Sequence, residues 1–193
     1  MRSCFFLIAI LLITLELESS QPTENFIEQN PVCIVVKISN QTITLYNNST
    51  PIGSYIISTG KNGAGQLQGS LQTPLGIHRI KQKLGRYAPT GTIFHKLGIG
   101  GTWTPKDKDE YKNEDLLLSR VLKLEGLEIG FNSGNNPEGK NVDSLKRGIA
   151  IHGTNHEDLL GKANSHGCIR MSSKDVIDLY NRVKEGTIVK IIM

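Results

Sequence analysis

Aromatic residues make up only 6% of this 193-residue chain, with a single tryptophan, and no internal repeat is visible along it. No apolar run approaches the roughly 20 residues of a full membrane span, so multi-span membrane architectures drop out. Collagen-like and coiled-coil periodicities are missing as well. The glycine-bearing polar stretch from Lys61 to Ser70 contains no Gly-Lys-Ser/Thr element, which argues against a phosphate-cradling loop. Cysteine is scarce, at three residues.

What is present suits one folded domain. Hydrophobic residues amount to 38% and charged residues to 21%, enough for a real core and too much for wholesale disorder. The formal charge is +4. Setting aside Arg2, Glu16 and Glu18 at the N-terminus leaves 21 basic and 16 acidic side chains. That modest excess fits a nucleic acid, a lipid surface or an acidic wall polymer, and equally plain solubility.

Arg2 precedes an apolar run from Cys4 to Leu15, interrupted by Glu16 and Glu18. A short basic region and a short apolar region describe a secretory signal over residues 1–20, cleaved near Ser19 or Ser20, with an uncleaved N-terminal anchor as the alternative. Residues 21–31 read as a short linker. Cys4 lies in the signal, which leaves Cys33 and Cys168. Outside the cytosol these two could pair in one disulfide, although Cys33 within an apolar run also reads as core.

From Val32 to Ile38 the run is rich in β-branched residues, and alternation resumes from Thr42 to Tyr46, which predicts a β-hairpin. Ser54–Thr59, Ile77–Ile80, Gly148–His152 and Thr187–Met193 read as further strands. Leu116–Leu124 fits helix or strand. Lys106–Asp115 is a charge run of the kind that forms a solvated loop, and Asn132–Asp143 is an Asn/Gly-rich loop. One helix is clear: Ser172 or Ser173 caps it, Val176, Leu179, Tyr180 and Val183 form its apolar face, and Gly186 follows as a stop. The expected fold is mostly β and sandwich-like, with that one helix near the C-terminus.

Chemistry concentrates in two segments, Ile151-His152-Gly153-Thr154 and Ser165-His166-Gly167-Cys168-Ile169-Arg170-Met171. A cysteine attacks only as thiolate, and a nearby imidazole, cation or helix N-terminus favours that form. His152, Arg170 and the helix beginning near Ser172 offer all three. Gly167 permits a tight turn, so that the Gly167 and Cys168 amides could hold an oxyanion. With no acid beside His152, the carbonyl of Gly153 is the candidate for fixing its tautomer. His166 reads as structural or tuning. His78, His95 and His156 read as surface or loop residues, and Trp103 as a packing anchor.

IHGT, SHGCIRM, the following helix and the closing GTIVKI, with TITLY, YIISTG and TPLGIHRI upstream, resemble the catalytic domain of the L,D-transpeptidase (YkuD-type) family over residues 32–193. The resemblance implies a sandwich-like catalytic domain acting on peptidoglycan stem peptides between the third residue, commonly meso-diaminopimelate, and the terminal D-Ala. It makes Cys168 the nucleophile and His152 the general base, puts Arg170 and Ser165 on the substrate side, and requires no cofactor. It also implies inhibition by carbapenems. The acceptor could be another stem peptide, a wall-attached lipoprotein, a free D-amino acid, or water, which would make the enzyme a carboxypeptidase. The expected setting is the periplasm or cell wall, and the expected state a monomer without nucleic-acid partners. Two other classes compete: a zinc site drawing on His152, His156, His166 and Cys168, and a non-catalytic module that only binds stem peptides.

Overall fold

The computed structural model describes residues 23–95 and 98–193. The signal or anchor read in residues 1–20 lies outside the described residues. Ten strands follow in chain order: β1 (Val32–Lys37), β2 (Thr42–Asn47), β3 (Thr50–Ile56), β4 (Gly76–Leu84), β5 (Thr92–His95), β6 (Gly98–Thr102), β7 (Leu117–Gly126), β8 (Ala150–Gly153), β9 (Ile169–Met171) and β10 (Ile188–Ile192). Residues 23–29 form a helix, α1, and Ser173–Arg182 form α2. The fold is mostly β, as the sequence pattern predicts.

The strands join in the order β3-β2-β1-β10-β4-β7-β5-β6, with β8 added on β7 and β9 on β8. The pairs β1·β10 and β8·β9 are parallel and the rest antiparallel. Inner faces from both ends of this path meet in one cluster: Ile34 and Ile43 from β1 and β2, Leu122 and Leu124 from β7, Ile151 and Ile169 from β8 and β9. Val176 and Leu179 of α2 close it, both fully buried. Each such side chain contributes roughly 1.5–3 kcal/mol by leaving water. Ser172 caps α2 by accepting from the Asp175 amide at 3.0 Å. At the other end Lys83 Nζ donates to the carbonyls of Tyr180 and Val183, so the helix stops at Arg182, ahead of Gly186.

One sequence expectation needs correcting and one open alternative is resolved. Residues 23–29, read as linker, are helical, and Phe26 and Ile27 pack on Cys33 and Val35. That packing explains the unbroken apolar run of β1: Ile34 and Val36 face the main core while Cys33 and Val35 face α1. The ambiguous Leu116–Leu124 segment is strand β7, whose period is hidden for two reasons. Its register slips between Leu118 and Val121, where Ser119 takes a positive φ of 66°, and apolar clusters cover it on both faces.

Candidate active site

The parallel pairing of β8 with β9 aligns Ile151 with Ile169 and His152 with Arg170. Because side chains alternate across a strand and both isoleucines are in the core, His152 and Arg170 share the opposite face. Cys168, one residue before β9, lies on that face and packs against Phe94, Val121 and Ala150. Strand pairing alone thus brings IHGT and SHGC side by side.

The turn before Cys168 is tightly held. Gly167 sits at φ +120°, where an added Cβ would lie 3.0 Å from the Gln72 carbonyl oxygen. Its carbonyl accepts from Thr73 Oγ1 at 2.9 Å. Ser165 is fully buried; its hydroxyl donates to the Cys168 carbonyl at 2.6 Å and accepts from the Gly167 amide at 3.0 Å. Both findings change the reading of this loop. Ser165 fastens the turn and has no surface for substrate, and the Gly167 amide, already bonded, is not free to hold an oxyanion.

His152 is 1% exposed, and its Nδ1 lies 2.8 Å from the Gly153 carbonyl oxygen. A carbonyl can only accept, so Nδ1 carries the proton and Nε2 keeps its lone pair. Burial lowers the His152 pKa, while the charge of Asp115 and the Gly153 bond oppose that shift. The Cys168 thiol donates to the Gly148 carbonyl at 3.5 Å and receives the Ala150 amide. Burial pushes it up to about 11, against the opposing effects of the Ala150 amide and the charges of Arg170 and Arg147. The resting group is therefore a thiol, where the sequence suggested a preformed thiolate. The start of α2 gives it little help, since the Ser172 hydroxyl takes the Asp175 amide and the Glu157 carboxylate takes the Ser173 amide.

Three residues that sequence reasoning passed over complete the surroundings. Asp115 Oδ2 accepts from Arg170 Nη2 at 2.5 Å and from His166 Nδ1 at 2.9 Å. Burial alone would raise its pKa, but the bonds from Arg170 and His166 and the charges of His152 and Arg170 hold it below the usual carboxylate value. Arg170 is 2% exposed, so the substrate-facing cation that the resemblance implies at this position is instead a buried partner of Asp115. Asn155 anchors the segment ahead of Asp115 by donating to the carbonyls of Tyr111 and Glu114 and accepting from the Leu116 amide. Asp115 escaped notice because it ends a charge run of ordinary solvated composition. Arg147 donates to the carbonyls of Gly65, Gln66 and Gln72, clamping the loop over Gly167.

A cleft of about 1050 Å³ opens above the thiol, walled by Phe94, Leu117, Val121, Ile149 and Ala150. Among the described residues no three His, Cys, Asp or Glu side chains converge to hold a metal. The ring nitrogens of His152, His156 and His166 turn to three different acceptors: the carbonyls of Gly153 and Glu114 and the carboxylate of Asp115. Cys33 and Cys168 are free thiols in separate apolar clusters, and burial raises the Cys33 pKa to about 11. His78, expected at the surface, is fully buried and bonded to Ser144. Trp103 packs against the cluster of Ile93, Leu116 and Leu118.

Comparison with known proteins gives a consistent picture. Residues 31–191 match the YkuD L,D-transpeptidase catalytic domain. A Bacillus subtilis (strain 168) protein named as the L,D-transpeptidase YqjB is 49% identical over 85% of this chain and 72% of its own length. An Escherichia coli (strain K12) protein named as the L,D-transpeptidase YbiS is 32% identical over 62% of this chain, and the match spans only 36% of that relative. Among solved structures, L,D-transpeptidase 3 from Mycobacterium tuberculosis, in complex with a faropenem-derived adduct, superposes with a TM-score of 0.51 at 17% identity. The superposition covers 84% of this chain and 60% of that one. At that identity the likeness concerns the fold.

Proposed function

The chain belongs to the L,D-transpeptidase catalytic-domain family, and from that premise we propose that it is an exported, cysteine-dependent L,D-transpeptidase acting on peptidoglycan stem peptides. The observation that carries this reading is the juxtaposition on β8 and β9: a half-buried thiol and an imidazole share one face, and Nδ1–H of the imidazole is fixed by the Gly153 carbonyl.

In the first step His152 Nε2 takes the Cys168 proton as Sγ attacks the carbonyl of the third residue. The Gly153 carbonyl and the charge of Asp115 stabilise the imidazolium. The Ala150 amide and the charges of Arg170 and Arg147 favour the sulfur anion. With the Gly167 amide bonded to Ser165, the Cys168 amide is the remaining candidate of that pair for the oxyanion. The tetrahedral intermediate then collapses: the peptide C–N bond breaks, His152 returns its proton to the departing D-Ala amine, and a thioester remains on Cys168. An acceptor amine attacks the thioester, His152 removes its proton, and the thiol is regenerated as the new amide forms. Water in place of the amine would give hydrolysis.

Intact-mass analysis after incubation with a stem tetrapeptide or a carbapenem tests the proposal. An adduct on the wild type and none on Cys168→Ala is the expected result. A folded wild type with a free thiol and no adduct from either compound would sink it.

A further inference from the structure

The cleft above Cys168 carries a charge imbalance that acyl transfer does not require. Lys123, Lys146 and Arg147 line it, and no aspartate or glutamate is among its lining residues. Among the described residues the guanidinium of Arg147 donates to three backbone carbonyls and makes no ion pair with a carboxylate. Lys146 lies within the electrostatic reach of Asp143. Lys123 has no ion pair among the described residues. Alternation along β7 puts Glu125 on the same face as Lys123, but Glu125 is already held by Arg79 and Lys81 from β4. The buried cation of the motif, Arg170, is likewise closed off by Asp115.

An unpaired ammonium beside an apolar wall gains most when a ligand displaces water and supplies a carboxylate, because a charge-assisted hydrogen bond strengthens as the surroundings dry. Arg147 is pinned by three carbonyls and acts through its field. Lys123, on a flexible four-carbon stem, is the cation able to make the contact.

We propose that Lys123 is a specificity-determining residue that reads a free carboxylate on the donor peptide, so that the enzyme favours such donors over the same peptides in carboxamide form. The inference rests on the stem-peptide reading above and deepens it. A stem tetrapeptide offers this chemistry from two sources, the side chain of its third residue and its terminal D-Ala.

The experiment uses the full chain and three tetrapeptides: unmodified, amidated at the third-residue side chain, and amidated at the C-terminus. Thioester formation on Cys168 is followed by intact mass to give kcat/KM for each. The wild type should lose at least about tenfold with one of the two amides, and that arm names the carboxylate being read. In Lys123→Gln the ratio of free acid to that amide should fall to near one, and in Lys123→Glu it should invert. A merely structural role for Lys123 would slow all three peptides together and leave the ratio unchanged. Equal acylation by all three peptides in the wild type, or a ratio that survives in Lys123→Gln, overturns the assignment while leaving the transpeptidase reading intact. Failure of every peptide to acylate the folded wild type overturns both.

Discussion

Arg170 and Asp115 meet at 2.5 Å on the sheet face that carries His152 and Cys168, with the arginine side chain 2% and the aspartate 16% exposed. Asp115 also holds His166, so one carboxylate ties the Lys106–Asp115 segment to the motif that bears the thiol. Removing its charge would strand a buried guanidinium, a change that costs about 3 kcal/mol or more. Asp115→Asn should therefore lower the stability measured by urea denaturation by about that amount. Adding Arg170→Gln should recover part of the loss, since the two residues act as a unit.

The second prediction concerns the base. His152→Gln should slow thioester formation by about 10²–10⁴-fold, the usual contribution of a positioned proton acceptor, while the variant stays folded. Stopped-flow acylation by a carbapenem, paired with a thermal melt, separates the two effects.

The pH dependence follows from the two shifts. His152 must be neutral to act as base, and burial holds its pKa below the ordinary 6.5, so the acid limb of kcat/KM should lie below that value. The thiol does not ionise unaided until about 11, so the profile should stay flat through neutral and mildly alkaline pH. A rate that instead tracked spontaneous thiol ionisation, rising tenfold per unit through pH 7–9, would contradict His152-assisted attack.

His78 makes an acid-stability prediction that is independent of catalysis. It is buried, with Nδ1 3.2 Å from the Gly76 carbonyl and Nε2 2.9 Å from Ser144 Oγ, and desolvation lowers its pKa from 6.5 to about 4. That value already includes a smaller lowering by the Arg147 charge and an opposing effect of the Gly76 bond. Since the folded pKa lies below the unfolded one, the unfolded chain binds the proton first as pH falls. Stability is complete above 6.5 and is lost down to about 4. The full loss approaches roughly 3 kcal/mol, and His78→Gln should flatten that part of the curve.

Gly167→Ala tests the turn. At φ +120° an alanine is strained, and its Cβ would meet the Gln72 oxygen at 3.0 Å. About 1–3 kcal/mol of stability should be lost, along with most of the acylation rate, because the same turn sets the position of Cys168.

How much was legible in the sequence depended on whether the signal was local. The β1–β2 hairpin, the cap and apolar face of α2, and the closing strand were readable because turn residues and periodicity act over a few positions. Strand β9, only three residues long, gives no period to read, and β5 and β6 were missed as well. His152 and Cys168 stood out because their motifs are compact. Asp115 and Arg147 did not, since their significance lies in contacts with residues 55 and at least 75 positions away. The face of each strand was equally hidden: burial of Arg170 and Ser165 follows from pairing with other strands and loops, which no local pattern reports.

The position of β10 bears on how the sheet closes. This strand lies between β1 and β4 and joins β1–β3 to the β4–β7 half, yet it follows every other described strand in chain order. Among the described residues the two halves, without β10, meet only through the isolated bridges Ser58 to Arg170 and Gly60 to Ser165, and the core between them stays open. Completing the sheet therefore waits on pairings between β10 and two strands more than a hundred residues before it, long-range contacts of the kind that slow folding.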